Sequence, residues 1–239
     1  MPQTAIIVGA SSGIGEALAR QLDRNNWRVI ATGRRVERLE HISRDCSSRF
    51  TCRSMDVRRI EPTLHLIDEL FLNFAPIDLV IINSGVGSTN PELLRTSDEE
   101  MIDTNARSFA LIAAHVNKHF LAQGRGHLVG NTSIAGLRGG PAVAYAASKA
   151  FASNYLEGLR LRSIADKNGI HVTDIRPGFV DTEMIDKSKA FWVASPEKAA
   201  RQILRAIARR KGVAYITRRW ALIAFLLKTL PAGALARLR

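Results

Sequence analysis

The chain has 239 residues, 46% hydrophobic and 23% charged, a balance that excludes a disordered or fibrous protein. At this length folding buries roughly three-quarters of the unfolded surface, so no staple is needed; Cys46 and Cys52 lack CxxC or Cys/His spacing, which suits a reducing compartment and gives no metal or redox site. The net charge of +12 is concentrated, with eleven basic and no acidic residues from Lys198 to Arg239, against 23 basic and 22 acidic residues elsewhere.

In chain order, short apolar runs alternate with longer amphipathic stretches. Thr4–Val8 predicts a strand with no charged-then-apolar leader before it, so the protein is expected to be cytoplasmic. A glycine turn follows, then a helix to about Asn25. Arg28–Thr32 is a second strand and Val36–Cys46 a helix. Phe50–Ser54 is a third strand and Arg59–Asn73 a helix. Asp78–Ile82 is a fourth strand, and Ser97 opens a long helix to about Leu121. Gly126–Gly130 is the fifth strand, Ala142–Asn168 a helix and Ile170–Arg176 the sixth strand. Ser195-Pro196 opens another helix before the last strand, Val213–Ile216. Strands spaced between helices imply an α/β fold: a doubly wound parallel sheet of about seven strands with helices on both faces, a Rossmann fold. Such a sheet binds ligands at the carboxyl ends of its strands. Residues 1–217 are read as the body and 218–239 as a basic, apolar helical tail.

The turn Gly9-Ala10-Ser11-Ser12-Gly13-Ile14-Gly15 joins the first strand to the first helix. Glycines let backbone approach a pyrophosphate, and the helix N-terminus offers free N–H groups. The second strand ends in Thr32-Gly33-Arg34-Arg35. A carboxylate there would accept from a ribose hydroxyl; two arginines instead fit a 2′-phosphate, which favours NADP(H) over NAD(H). Asp56 and Val57 follow the third strand, where an adenine amino group could be read. Asn83-Ser84-Gly85 ends the fourth, where small residues permit close approach.

Tyr145 and Lys149 stand one helical turn apart on one face. A phenol titrating near 10 is a poor acid–base at neutral pH, and a nearby ammonium lowers its pKa. Ser133, twelve residues earlier, supplies a hydroxyl that could hold a carbonyl oxygen.

These motifs, in order from about Thr4 to Ser195, resemble the short-chain dehydrogenase/reductase family in its compact single-domain branch. The glycine turn, Asn83-Ser84-Gly85, Ser133, Tyr145-x-x-x-Lys149 and the run Pro177-Gly178-Phe179-Val180-Asp181-Thr182 each match a family motif. The last matches a segment that contacts the nicotinamide end through Pro177, Gly178, Val180 and Thr182. Asn105 sits where the family places the Asn that closes its proton relay. Val8, Ile82 and Thr132 depart from common family residues at structural positions. The resemblance implies hydride exchange between nicotinamide and a carbonyl carbon. Tyr145 would move the proton, Lys149 would lower its pKa and bind ribose, Ser133 would orient the oxygen, and Asn105 would hold a water.

The reading is therefore an NADP(H)-dependent oxidoreductase of a carbonyl or secondary alcohol, acting as a reductase. An NAD-linked alcohol dehydrogenase and a non-catalytic dinucleotide sensor or scaffold are the alternatives. By resemblance, Thr182–Ser195 is a lid over the substrate. It offers Met184, Ile185, Phe191, Trp192 and Val193, which point to a hydrophobic ketone, beside Glu183, Asp186, Lys187 and Lys189. Trp220–Leu227 is uninterruptedly apolar, but Lys228 and Pro231 break any window of the ~20 residues a membrane span requires. Burial, a subunit interface or peripheral membrane contact are the readings of the tail; nucleic acid is not expected. By resemblance the protein is a homodimer or homotetramer built on the helices that hold Asn105 and Tyr145.

Overall fold

The computed structural model describes residues 2–185 and 190–236. Its seven strands are β1 (Thr4–Val8), β2 (Arg28–Gly33), β3 (Phe50–Ser54), β4 (Leu79–Ile82), β5 (Gly126–Asn131), β6 (Ile170–Pro177) and β7 (Val213–Ile216). They form one sheet in the order β3-β2-β1-β4-β5-β6-β7, and every neighbouring pair is parallel. The helices are α1 (Gly13–Arg24), α2 (Val36–Ser43), α3 (Ile60–Phe74), α4 (Arg95–Ile102), α5 (Ser108–Gln123), α6 (Val143–Asp166), α7 (Pro196–Ala208), α8 (Trp220–Thr229) and α9 (Ala232–Ala236).

The central strands β1 and β4 are buried along their whole length because both sheet faces are covered, whereas β3 at the sheet edge is partly exposed. Ala5, Ile7, Ala31, Leu79, Ile81 and Val129 point to one face, where α1 and α7 bring Leu18, Leu22 and Ile203. Their alternates Ile6, Val8, Ile30, Val80, Ile82 and Leu128 point to the other, against Leu70, Ile112, Val116 and Leu156 of α3, α5 and α6. The order reverses at β1, which pairs with β2 on one side and β4 on the other. The carboxyl ends of β1, β4 and β5 thus gather at the switch point, where doubly wound sheets take their ligands.

Two helices depart from the expected bounds. The one opening at Val36 stops at Ser43 rather than Cys46, because Asp23 of α1 captures the backbone N–H of Ser47 at 3.1 Å and its hydroxyl at 2.5 Å. The long helix begins at Arg95 and is interrupted by a π-helical turn over Asp103–Arg107, which carries Asn105. Beneath the site a buried polar group ties β5, β6 and α6 together. The Asp174 carboxylate accepts from Thr132 Oγ1 at 2.6 Å, Ser153 Oγ at 2.5 Å and Arg176 Nε at 2.7 Å. Thr132 thus keeps a hydroxyl where the departure from the family residue needs one. Among the described residues, no helix is long and apolar enough to cross a membrane.

Candidate active site

The glycine turn folds back on the end of β4. Gly9 has φ +88°, and a Cβ there would lie 2.7 Å from the Ser84 Cα; one on Gly15 would lie 2.0 Å from the Gly9 carbonyl oxygen. Neither position admits a side chain. The backbone N–H groups of Gly9 and Ala10 both donate to the Thr32 carbonyl, at 3.0 and 2.8 Å, which anchors the turn to β2. A Cβ on Gly13 would stand 2.9 Å from Thr182 Cγ2, so the structure brings Thr182 to this turn. Ile14 packs into the sheet core beside it.

At the end of β2, Arg34 is exposed and Arg35 turns inward. Arg35 donates from Nη2 to Ser12 Oγ at 2.7 Å, from Nε to Ser11 Oγ at 3.4 Å and from Nη1 to Glu183 Oε2 at 2.8 Å. Arg38, which sequence reasoning missed, donates to the other oxygen of the same carboxylate. The pair brought together is thus Arg35 with Arg38, not Arg34 with Arg35. Hydrogen bonds from Arg35 and Arg38 hold the Glu183 carboxyl far below its ordinary range, at about 2. An anion already sits between two guanidiniums beside two serine hydroxyls and a helix start, a donor set that fits a phosphate. The signal for Arg38 was its spacing, one turn beyond Arg34 on α2. Asp56, by contrast, accepts from the Arg58 backbone at 3.2 Å, and Val57 packs in the core.

A hydrogen-bonded chain runs from the turn across the strand ends. Asn83 Nδ2 donates to the Gly9 carbonyl at 2.7 Å, Asn131 Nδ2 to Asn83 Oδ1 at 2.7 Å, and Lys149 Nζ to the Asn131 carbonyl at 3.1 Å. Asn131 was not singled out as a site residue, although a polar residue at the end of an apolar strand was the available signal. Burial lowers the Lys149 pKa to about 8, against the pull of Asp174. Its ammonium lies 5.8 Å from the Tyr145 ring centroid. Burial raises the Tyr145 pKa, and a hydrogen bond with Ser133 acts against that rise. The net direction is upward. Ser133 Oγ also accepts from the Ala135 N–H at 3.1 Å, opening a short 3₁₀ turn.

Asn105 spends its amide on the backbone after β4. Its Nδ2 donates to the Val86 carbonyl at 2.7 Å and to Ser148 Oγ at 3.2 Å, while its Oδ1 accepts from the Val86 N–H at 3.0 Å. These contacts seat Asn105, expected to hold a water, between the loop after β4 and Ser148 of α6. A Cβ on Gly85 would stand 3.1 Å from Lys149 Nζ and 3.2 Å from Asn105 Oδ1, so that glycine lets the two groups meet.

The segment expected to form a lid has its two ends held together. Val180 bridges Ala194, and the Asp181 N–H donates to the Ala194 carbonyl at 2.9 Å. A Cβ on Gly87 would lie 2.9 Å from the Tyr145 ring and 3.0 Å from Met184 Sδ, so Met184 faces Tyr145 across that glycine. Asp186, Lys187 and Lys189 lie outside the described residues, as do Arg237, Leu238 and Arg239. The tail reaches this region: Trp220 is buried over Gly178, where a Cβ would lie 2.0 Å from its ring. Phe179, Phe191 and Trp192 surround the indole at 5.4, 5.1 and 6.0 Å between centroids. Arg219 donates to the Trp192 carbonyl at 3.0 Å, and the Pro177 end of β6 is held by the Gly178 N–H on the Ile216 carbonyl at 2.6 Å.

Comparison with known proteins agrees with this geometry. A family model described as short chain dehydrogenase matches residues 3–191. An uncharacterized oxidoreductase of Myxococcus xanthus is 38% identical over 188 residues, 76% of this chain and 74% of that protein. A protein of Salmonella typhimurium named NADP-dependent 3-hydroxy acid dehydrogenase is 32% identical, over 73% of this chain and 71% of its own. A solved short chain dehydrogenase of Burkholderia cenocepacia, in complex with NADP, superposes with TM-score 0.85 at 22% identity, over 99% and 97% of the two chains.

Proposed function

Because the chain belongs to the short-chain dehydrogenase family of oxidoreductases, we propose that it uses NADP(H) to interconvert a carbonyl and a secondary alcohol, working as a reductase of a hydrophobic ketone. The observation that carries this reading is the chain Gly9–Asn83–Asn131–Lys149, which fixes the nucleotide turn and the Tyr145 helix relative to each other. When bound, the nicotinamide supplies the hydride that the carbonyl carbon receives. Tyr145 gives its phenolic proton to the carbonyl oxygen, and burial keeps that proton in place until it is needed. Ser133 donates a hydrogen bond to the same oxygen. Lys149 offsets the charge left on the phenolate. Asn105 is a positioning residue that sets the loop at Val86. Arg35 and Arg38, with Ser11 and Ser12, receive the 2′-phosphate.

The name of the Salmonella relative supports the choice of NADP, and it also makes a 3-hydroxy acid the natural comparison substrate. Met184 facing Tyr145 across Gly87 supports an apolar substrate instead. The body and its tail act as one unit through Trp220. Exposed Leu111, Phe151, Leu161 and Ile164 on α5 and α6 support a homo-oligomer built on those helices. Exposed Leu222 and Phe225 on α8 support a further surface contact of the tail, which liposome sedimentation reads against self-association.

The test is NADPH consumption with a panel of aryl and long-chain ketones beside 3-oxo acids. Tyr145→Phe should abolish turnover with NADPH binding retained, and an undiminished rate would refute the assignment.

A further inference from the structure

On the face of the molecule formed by α3 and α5, three side chains turn their ligand atoms toward one point. His115 Nε2 and His119 Nε2 each lie 2.6 Å from the same atom, Asp68 Oδ1. The ligand atoms of all three lie within 4.8 Å of one another, the one such group of His, Cys, Asp and Glu among the described residues. The histidines are one helical turn apart on α5, so their imidazoles leave the same face. Asp68 answers from α3. The rings are held in place: His119 stacks on the buried Phe71 at 4.3 Å and 13°, and His115 meets His119 edge-on at 5.0 Å.

We propose that Asp68, His115 and His119 form a site for a divalent transition-metal ion of the zinc class. Two neutral imidazoles and one carboxylate are a donor set that zinc accepts, at about 2.0–2.2 Å per bond. Tetrahedral ligands at such bond lengths stand about 3.3 Å apart, so the two Asp68 contacts need to open by less than about an ångström and the two imidazole nitrogens, within 4.8 Å of each other, to settle at the same spacing. Asp68 is half exposed and the histidines about a quarter, which leaves the outer side open for water as the fourth ligand. The ligands come from two helices whose spacing the core already fixes, so little ordering opposes binding. The ion would clasp α3 to α5. His115 lies ten residues beyond Asn105, about 15 Å along the helix, so the clasp is separate from the chemistry proposed above and stands or falls without it.

The test is calorimetric titration of zinc chloride into the full, tag-free, metal-stripped chain, with thermal unfolding followed in parallel. The expected result is one zinc per chain and a zinc-dependent rise in Tm. Both His115→Ala and Asp68→Asn should weaken binding at least about tenfold and remove the rise in Tm, with circular dichroism showing each variant folded. Both substitutions fall on partly exposed side chains away from the core. The proposal is overturned if the variants bind zinc as the parent does, the signal then belonging to other surface histidines. It is equally overturned if the parent takes up less than one zinc per chain with the metal in excess.

Discussion

The arginines at the end of β2 give the sharpest prediction, because substitutions around them should move one observable in opposite directions. Arg35 directs three donors at Ser11, Ser12 and Glu183, and Arg38 adds a second guanidinium to the same carboxylate. Hydrogen bonds to charged groups contribute about 1.5–3 kcal/mol each when shielded. Here the side chains are 41% and 48% exposed, so solvent screening reduces each phosphate contact to about 1 kcal/mol. Removing both in Arg35→Ala/Arg38→Ala should cost about 2 kcal/mol of NADPH affinity, roughly 30-fold, with NADH affinity nearly unchanged. Glu183→Gln should do the reverse. Its carboxylate now occupies the place between the guanidiniums, so neutralising it should raise NADPH affinity by the few-fold typical of an exposed ion pair. Arg34→Ala should do little. Parallel fluorescence titrations with NADPH and NADH measure all of these. An unaltered NADPH-to-NADH ratio in the double variant would refute the reasoning, as would an equal loss in Arg34→Ala.

Three further predictions concern stability. His127 is buried, and desolvation first, then His171 and Arg210, hold its pKa near 4 rather than 6.5. Above pH 6.5 it is neutral in both folded and unfolded chains; below that the unfolded chain takes up the proton first, so stability falls until about pH 4, by about 3 kcal/mol. His127→Gln should flatten that part of the profile in denaturant titrations, and an identical pH dependence would count against it. Asp174→Ala leaves the buried Arg176 guanidinium without its counter-charge, and urea unfolding should show a loss of about 3–5 kcal/mol; a loss under 1 kcal/mol would mean that water reaches the arginine. Trp220→Ala empties the space over Gly178 and should cost about 3 kcal/mol or more, read as a lower Tm together with a raised KM from the loosened lid. A normal Tm would show that α8 does not hold the body.

The strands and the doubly wound class were legible because runs such as Ala5–Val8 and Leu79–Ile82 are apolar without interruption, as a doubly covered parallel strand is; the order of the strands in the sheet was not. Gly9, Tyr145 and Lys149 were legible by type and spacing. Arg38 and Glu183 were not, since their meeting depends on where a segment 145 residues later returns to α2. Asn131 was passed over because its part is played by an amide and a carbonyl linking two other groups, which no one-dimensional spacing records. The spacing His115-x-x-x-His119 carries no ligand set by itself, because Asp68 comes from another helix.

The links from Gly9 through Asn83 and Asn131 to Lys149 lie wholly on β1, β4, β5 and α6, whereas Arg35, Arg38 and Glu183 belong to β2's end, α2 and the lid. No residue serves in both sets. On the proposed assignment of Arg35 and Arg38 to the 2′-phosphate, exchanging charges at the end of β2 and on α2 should retune coenzyme choice and leave the proton chemistry alone. Changes at Asn83 or Asn131 have no such freedom, because they loosen the turn at Gly9 and the hold on Lys149 together.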